Sequence, residues 1–313
     1  MPVDEDDGDN HGRRGSASGN TPSTHHAPQH WWSMPTPIRR LFDKFPLQTY
    51  PANELPQRTA GDRSQHLLYV FTTPEAARRG DPSFNPSCLK WQTYLKVLGV
   101  DHKIVLSNNH ASPTGALPFV LPSATSPTPL ADVSLPIGSN KIQRWIRELK
   151  ISAQEISDFK YDAYLALIDH RIRNAWLYTL YLEPTNFAAV AQHLYITPCS
   201  SNALVRATIA HQLRSAAAEE ISKHTATIDV ESVHNDAQKA FSALSTLLGG
   251  SEYFFGVGKP SLFDASVFSY THLLLDERMG WMEDRMTRGL EKYQNLVQHR
   301  ERILGVYYQK KPS

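Results

Sequence analysis

The chain has 313 residues, with 32 Lys and Arg against 31 Asp and Glu for a formal net charge of +1, and 41% of its residues are hydrophobic. That length can bury a sizeable core and hold two subdomains with tails, while the near-neutral balance excludes any overall demand for nucleic acid or anionic lipid. Two cysteines, Cys88 and Cys199, are too few for a disulfide framework and fit a reducing compartment, and no apolar run is long enough to span a bilayer, so any membrane association is expected to be peripheral.

Residues 1–30 are rich in Asp, Gly, Ser, Asn, His and Pro and are expected to form a disordered tail. Its acidic start (Asp4, Glu5, Asp6, Asp7, Asp9) is opposite to a basic amphipathic presequence, and no cleavable address is expected. His25, His26 and His30 lack a neighbouring Cys or carboxylate and read as polar filler, so no metal site is expected. Residues 31–64 form a proline-rich arm in which Ile38, Leu41, Phe42 and Phe45 fall on one side of one or two helical turns, with Arg39, Arg40 and Lys44 facing elsewhere. The arm either packs on its own domain or serves as a basic, apolar docking segment; the docking reading assigns partner binding to Ile38, Arg39, Arg40, Leu41, Phe42 and Phe45.

From 65 to 150 the elements alternate. Leu67–Phe71 reads as a buried strand, Thr72–Pro86 as a loop, and Ser87 opens a helix through Cys88, Trp91 and Leu95 to Gly99. A second strand follows at His102–Ser107, with Ile104 and Leu106 on one side. Then come an apolar stretch at Gly115–Leu121, a short apolar turn at Leu130–Leu135 and a helix from Asn140.

The order of strand, helix, strand, loop, strand, strand and helix resembles the thioredoxin-like half of a glutathione transferase. In that fold Leu117-Pro118-Phe119 falls where a cis-proline precedes the third strand, which gives Pro118 a structural role.

Residues 151–313 read as all-helical. Apolar residues recur at three and four over Tyr164–Leu180, Val205–Ile221 and Val230–Leu248, the last started by Asp229 and ended by Gly249 and Gly250. His211, His224 and His234 are expected on solvated faces. The central element is Tyr253–Leu275: Ser261 and Asp264 stand three apart before a helix with few solvent-facing positions, so Ser261 caps its first turn while the Asp264 carboxylate reaches back to free backbone donors. Ser-x-x-Asp opening a buried helix after an aromatic-Gly run resembles the capping motif in the helical half of glutathione-transferase-like proteins. The expected fold class is therefore a mixed α/β thioredoxin-like domain followed by an all-α domain.

A glutathione transferase needs a hydroxyl or thiol near the end of its first strand, and an acid followed by Ser at the start of its third helix. Here the second position reads Gly138-Ser139, so Ser139 remains and the acid does not. Thr72, Thr73 or Cys88 are candidates for the first, with Cys88 near a helix N-terminus that favours its thiolate. The expectation is no catalytic residue and no cofactor, with a glutathione transferase or related thiol-transfer enzyme as the alternative.

The arm Pro37–Leu47, the run Cys88–Gly99, Gly115–Phe119 and Phe254–Ser269 together resemble the metaxin family, and in particular a fungal metaxin-like peripheral subunit of the mitochondrial sorting and assembly machinery (SAM complex). This resemblance implies a non-enzymatic protein on the cytosolic face of the mitochondrial outer membrane, capping a barrel insertase and assisting recognition, insertion or release of β-barrel precursors. The implied partners are the insertase, a second metaxin-like subunit, the precursors and the membrane surface, with no nucleic acid.

Overall fold

In the computed structural model, which describes residues 64–123, 135–151, 159–224, 227–256 and 258–309, the apolar run after Gln65 forms strand β1 (His66–Val70). The expected tail over 1–30 and the whole arm up to residue 63 lie outside the described residues, as does most of the expected Leu130–Leu135 turn. β1 pairs in parallel with β2 (His102–Leu106), Leu68 opposite Ile104, and antiparallel with β3 (Phe119–Leu121), Leu68 opposite Val120. β3 pairs antiparallel with the two-residue β4 (Ile137–Gly138), giving the sheet order β2-β1-β3-β4. The Leu117–Pro118 bond that leads into β3 is cis.

Three local readings change. The loop after β1 contains a short helix, α1 (Pro74–Arg79), because Thr73 Oγ1 accepts from the Ala76 amide, Pro74 occupies the first turn and Gly80 closes the end at φ 72°. The next helix, α2 (Pro86–Val97), is capped by Asn85 rather than Ser87, with the Asn85 side chain accepting from the Cys88 amide at 3.2 Å and Pro86 at the first position. Within β2 only Ile104 is buried; Leu106 is 47% exposed at the strand's end.

Helix α3 (Ser139–Glu148) covers the sheet with Ile142, Trp145 and Ile146, and α2 adds Trp91 and Leu95, so these side chains and Leu68, Val70, Phe119 and Val120 make one core. Among the described residues from 159 to 309, every regular element is a helix. Helix α4 runs through Tyr161–Ala166, Leu167–Ile172, Arg173–Leu177 and Tyr178–Leu182, the second and fourth segments wound in wider π turns. Helix α5 starts at Pro184–Asn186 and continues π-wound through Phe187–Ile196. Then follow α6 (Ala203–Ile221), α7 (Val230–Leu248), α8 (Leu262–Leu275), α9 (Arg285–Glu291) and α10 (Gln294–Tyr307). Among the described residues there is no strand beyond Gly138.

The expected stripe on α6 is buried only toward its C-terminal end, at Ala217 and Ile221, while Val205 is exposed. His211 is on the surface, but His234 is not: it is buried on α7 edge-on to Tyr178, 5.7 Å between ring centroids, because position 234 shares the inner face with Ala237 and Phe241. Burial, followed by the nearby Arg285 charge, pushes its pKa down.

Helix α8 is enclosed on nearly every side and belongs to both cores. Phe263, Val267, Phe268 and Leu274 join the helical core, while the small Ala265 faces α2 and joins the sheet-side core. The end of α10 fastens onto α2 as well: Thr93 Oγ1 and the Tyr308 hydroxyl lie 2.8 Å apart, Lys96 Nζ donates to the Tyr307 carbonyl, and its charge sits 4.5 Å from the Tyr308 ring centroid.

Candidate functional site

The end of β1 is where thiol chemistry would sit, and aromatic side chains fill it. Phe71, Phe84 and Tyr195 meet as a trio, with Tyr195 edge-on to Phe71 at 5.1 Å and to Phe84 at 5.2 Å. The Tyr195 hydroxyl donates to the Phe84 carbonyl at 3.0 Å and accepts from Asn85 Nδ2 at 3.4 Å, so α5 is pinned against the loop that precedes α2. Burial drives the Tyr195 hydroxyl pKa well above its ordinary value. Tyr181 stands 6.1 Å behind it.

The candidate nucleophiles are correspondingly inert. Thr72 is buried and its hydroxyl donates to the neighbouring Thr73 carbonyl at 3.5 Å. Thr73 is occupied as the α1 cap. Cys88 is fully enclosed, and burial pushes its thiol up to about 12, outweighing hydrogen bonding to the Phe71 backbone and the Ser83 side chain. The dipole at the α2 N-terminus therefore does not yield a thiolate at neutral pH.

Gly138 caps α3 without a side chain, and Ser139 takes the helix's first position. A Cβ at 138 would lie 2.7 Å from Thr114 Cγ2 and 3.3 Å from Asn140 Oδ1. Thr114 is held in place by its hydroxyl, which bonds Ser112 Oγ at 3.2 Å and the Ala116 carbonyl at 3.4 Å. The space for an acidic side chain at this turn is thus taken by the loop that precedes Pro118.

The most elaborate polar cluster lies at the N-terminus of α8. Ser261 Oγ accepts from the Asp264 amide at 3.3 Å, and Asp264 Oδ2 accepts from the Ser261 amide at 2.8 Å and from its hydroxyl at 2.6 Å, closing a capping box. Asp264 Oδ1 accepts from the Phe254 amide at 2.9 Å and from His299 Nε2 at 2.9 Å. Both side chains are fully buried. Phe255, at φ 60°, and Gly256, at φ 65°, make the left-handed turn that follows the Phe254 amide. This cluster ties α8, α10 and the Phe254 turn into one network, and Ser261 also borders a cleft lined by Lys90, Tyr94, Tyr161 and Asp169.

Among the described residues, the structure brings the sequence-predicted Ser261 and Asp264 into direct contact. Pro118 sits at the entry of β3 and Ser261 with Asp264 at the start of α8, while Ile38, Arg39, Arg40, Leu41, Phe42 and Phe45 lie outside the described residues. Sequence reasoning missed Tyr195, Thr114 and His299. Only His299 carried a signal, standing three after Leu296 and four before Ile303 on the buried face of α10.

Residues 86–186 match the family described as glutathione S-transferase N-terminal domain, and 237–303 match glutathione S-transferase, C-terminal domain. Residues 32–88 match SAM35, subunit of SAM complex. Among solved structures, a Ceriporiopsis subvermispora glutathione S-transferase in complex with glutathione superposes with a TM-score of 0.50 at 13% identity, covering 79% of this chain and 99% of that one. At that identity the likeness establishes the fold alone. Metaxin-3 of Xenopus laevis is 25% identical over 235 residues, 73% of this chain and 74% of its own length. Metaxin-1 of Mus musculus is 25% identical over 73% of this chain and 72% of its own, and a Metaxin-1 homolog of Caenorhabditis briggsae is 26% identical over 73% and 70%. With SAM35 matched from residue 32 through β1 into α2, and metaxins aligned over 73% of the chain, this chain is similar to the metaxin family.

Proposed function

We propose that this chain is a non-catalytic subunit of the mitochondrial SAM complex, held peripherally on the cytosolic face of the outer membrane, where it caps the barrel insertase beside a second metaxin-like subunit. A β-barrel precursor presents unpaired strand edges until it closes, and a subunit beside the insertase assists its recognition, insertion or release. The observation that carries this reading is the SAM35 match over residues 32–88, which spans the arm from Ile38 to Phe45 and runs on through β1 into the start of α2. Two features support a role without catalysis. Tyr195 fills the strand end, and the Cys88 thiol is held in its protonated form.

In this reading Ile38, Leu41, Phe42 and Phe45 are the apolar anchors of the arm, and Arg39 and Arg40 steer the approach to an acidic patch. The test is recovery of the outer-membrane complex from mitochondria expressing tagged wild type or the double variant Leu41→Ala with Phe42→Ala. The variant is expected to keep its melting temperature and circular dichroism while losing most of the copurifying barrel insertase. Equal recovery would remove the arm from the interface, and absence of any outer-membrane barrel protein with the wild type would overturn the function itself.

A further inference from the structure

Between Glu183 and Glu219 the chain carries no Asp or Glu, although acids make up 31 of its 313 residues. This stretch forms a helical hairpin. The Arg214 guanidinium lies 5.2 Å from the Phe187 ring centroid, so α5 and α6 run antiparallel and meet at the turn Thr197–Cys199. Pairing 214 with 187 puts both bounding carboxylates, Glu183 and Glu219, at the far end of the hairpin. Along α6 that is about 22 Å from Leu204 at the ordinary helical rise.

At the near end the surface is apolar and unusually open. Leu204 is 79% exposed and Val205 44%, flanked by exposed Thr197, Pro198, Ala203, Ala207 and Thr208. Nothing in the helical core covers these residues, and α6 buries only Ala217 and Ile221. The charges on the hairpin are basic: Arg206, whose guanidinium rests 3.5 Å from the Ser200 carbonyl beside the tip, and Arg214 farther along; His193 and His211 are exposed. No described helix is long and apolar enough to cross a membrane.

We infer that the tip of the α5–α6 hairpin is a membrane-docking site, seating Leu204 and Val205 among the head groups and acyl boundary of an anionic phospholipid surface. The inference rests on the outer-membrane location proposed above and names the part of the chain that meets the lipid. Two apolar side chains projecting from a helix N-terminus gain by leaving water, Arg206 beside them meets lipid phosphates, and the missing carboxylates remove the repulsion that would oppose approach. An acid-free surface fits a polyanionic plane better than a protein partner, whose own mixed charges set no such requirement.

Vesicle flotation of the purified full chain tests this, using phosphatidylcholine alone and phosphatidylcholine with phosphatidylserine. Wild type is expected to float with the anionic vesicles, less at high salt, and weakly with phosphatidylcholine alone. Leu204→Asp with Val205→Asp is expected to lower binding by roughly tenfold or more at an unchanged thermal midpoint, since both side chains are solvent-facing already. Should that pair lower the midpoint, Thr208→Glu, one turn further along, carries the same test. Flotation of the double variant equal to wild type would overturn the assignment. So would wild type that fails to float while the double variant loses the insertase from mitochondria, an outcome that makes the tip a protein interface. Complex recovery judges the proposed function and vesicle binding judges the tip, so either can fail without the other.

Discussion

His299 donates from Nε2 to Asp264 Oδ1 at 2.9 Å, with both side chains fully enclosed. The bond joins the first turn of α8 to the middle of α10 and completes four acceptances by one carboxylate. Its neighbours are apolar rings, Phe254 at 5.1 Å and Tyr253 at 6.4 Å from the imidazole.

Removing the carboxylate should therefore cost far more than removing the cap. Ser261→Ala is expected to lower stability by about 1–2 kcal/mol, the loss of one capping hydroxyl in a buried setting. Asp264→Ala strands the Phe254 and Ser261 amides and His299, and is expected to cost at least about 3 kcal/mol. Asp264→Asn should be nearly as damaging, because its Nδ2 would face donors. Denaturant midpoints measure all three, and similar small shifts would show that the cluster is dispensable.

Stability should fall in mild acid through histidine. His272 is buried on α8, stacked on Phe268 at 5.1 Å and 3.6 Å from Asp276, and burial followed by the Arg300 charge lowers its pKa to about 4. His66, His102 and His234 are lowered too, each chiefly by burial. Unfolded histidine binds a proton near pH 6.5, so below that value the unfolded chain takes up protons that the folded chain refuses. Stability is thus complete above about pH 6.5 and declines toward about pH 4, the folded value for His272. His272→Phe should flatten this decline in melting temperature across that window; an unchanged slope would remove His272 from the account.

Gly138→Asp restores the acid that a glutathione site would use, yet it should not restore binding. The new Cβ would sit 2.7 Å from Thr114 Cγ2, and turning Thr114 away breaks its bonds to Ser112 and Ala116. The expected result is destabilisation by about 1–3 kcal/mol and no retention on immobilised glutathione. Adding Thr114→Ser, which removes Cγ2, should recover part of the stability. Specific elution of Gly138→Asp by free glutathione would contradict this.

The two cysteines should differ sharply toward alkylating reagents. Cys199 is exposed, its thiol donating to the Tyr195 carbonyl at 3.0 Å, whereas Cys88 is enclosed and held protonated. Folded protein at neutral pH is expected to take one label per chain, on Cys199, and a second only in denaturant. Rapid labelling of Cys88 in the native state, read by mass spectrometry, would reopen the thiol-transfer reading.

The fold class was legible because its markers are local. The apolar β1, Pro118 before β3, the Asp229 cap and the Ser261–Asp264 pair each act through residues within a few positions. Short elements were misread where two signals competed: Asn85-Pro86 outranks Ser87 as a helix start, and Thr73-Pro74 with Gly80 suffices for a helix inside a loop. The filled strand end was not legible, since Phe84 and Tyr195 stand 111 residues apart in the chain and meet only in the folded state. The buried His234 escaped because polarity was weighed above its helical position, beside Ala237 and Phe241.

The fastening of α10 onto α2 bears on when this protein can finish folding during synthesis. Thr93 waits for Tyr308, 215 residues later, and the sheet-side core waits for Ala265 on α8. An emerging N-terminal half therefore has its sheet but lacks the side chains that seal α2, leaving Trp91 and Leu95 without their full cover while translation continues. Ribosome-bound chains halted before Ala265 should remain protease-sensitive in α2, and chains extended past Tyr308 should become resistant, so the native state is reached in one late step rather than half by half.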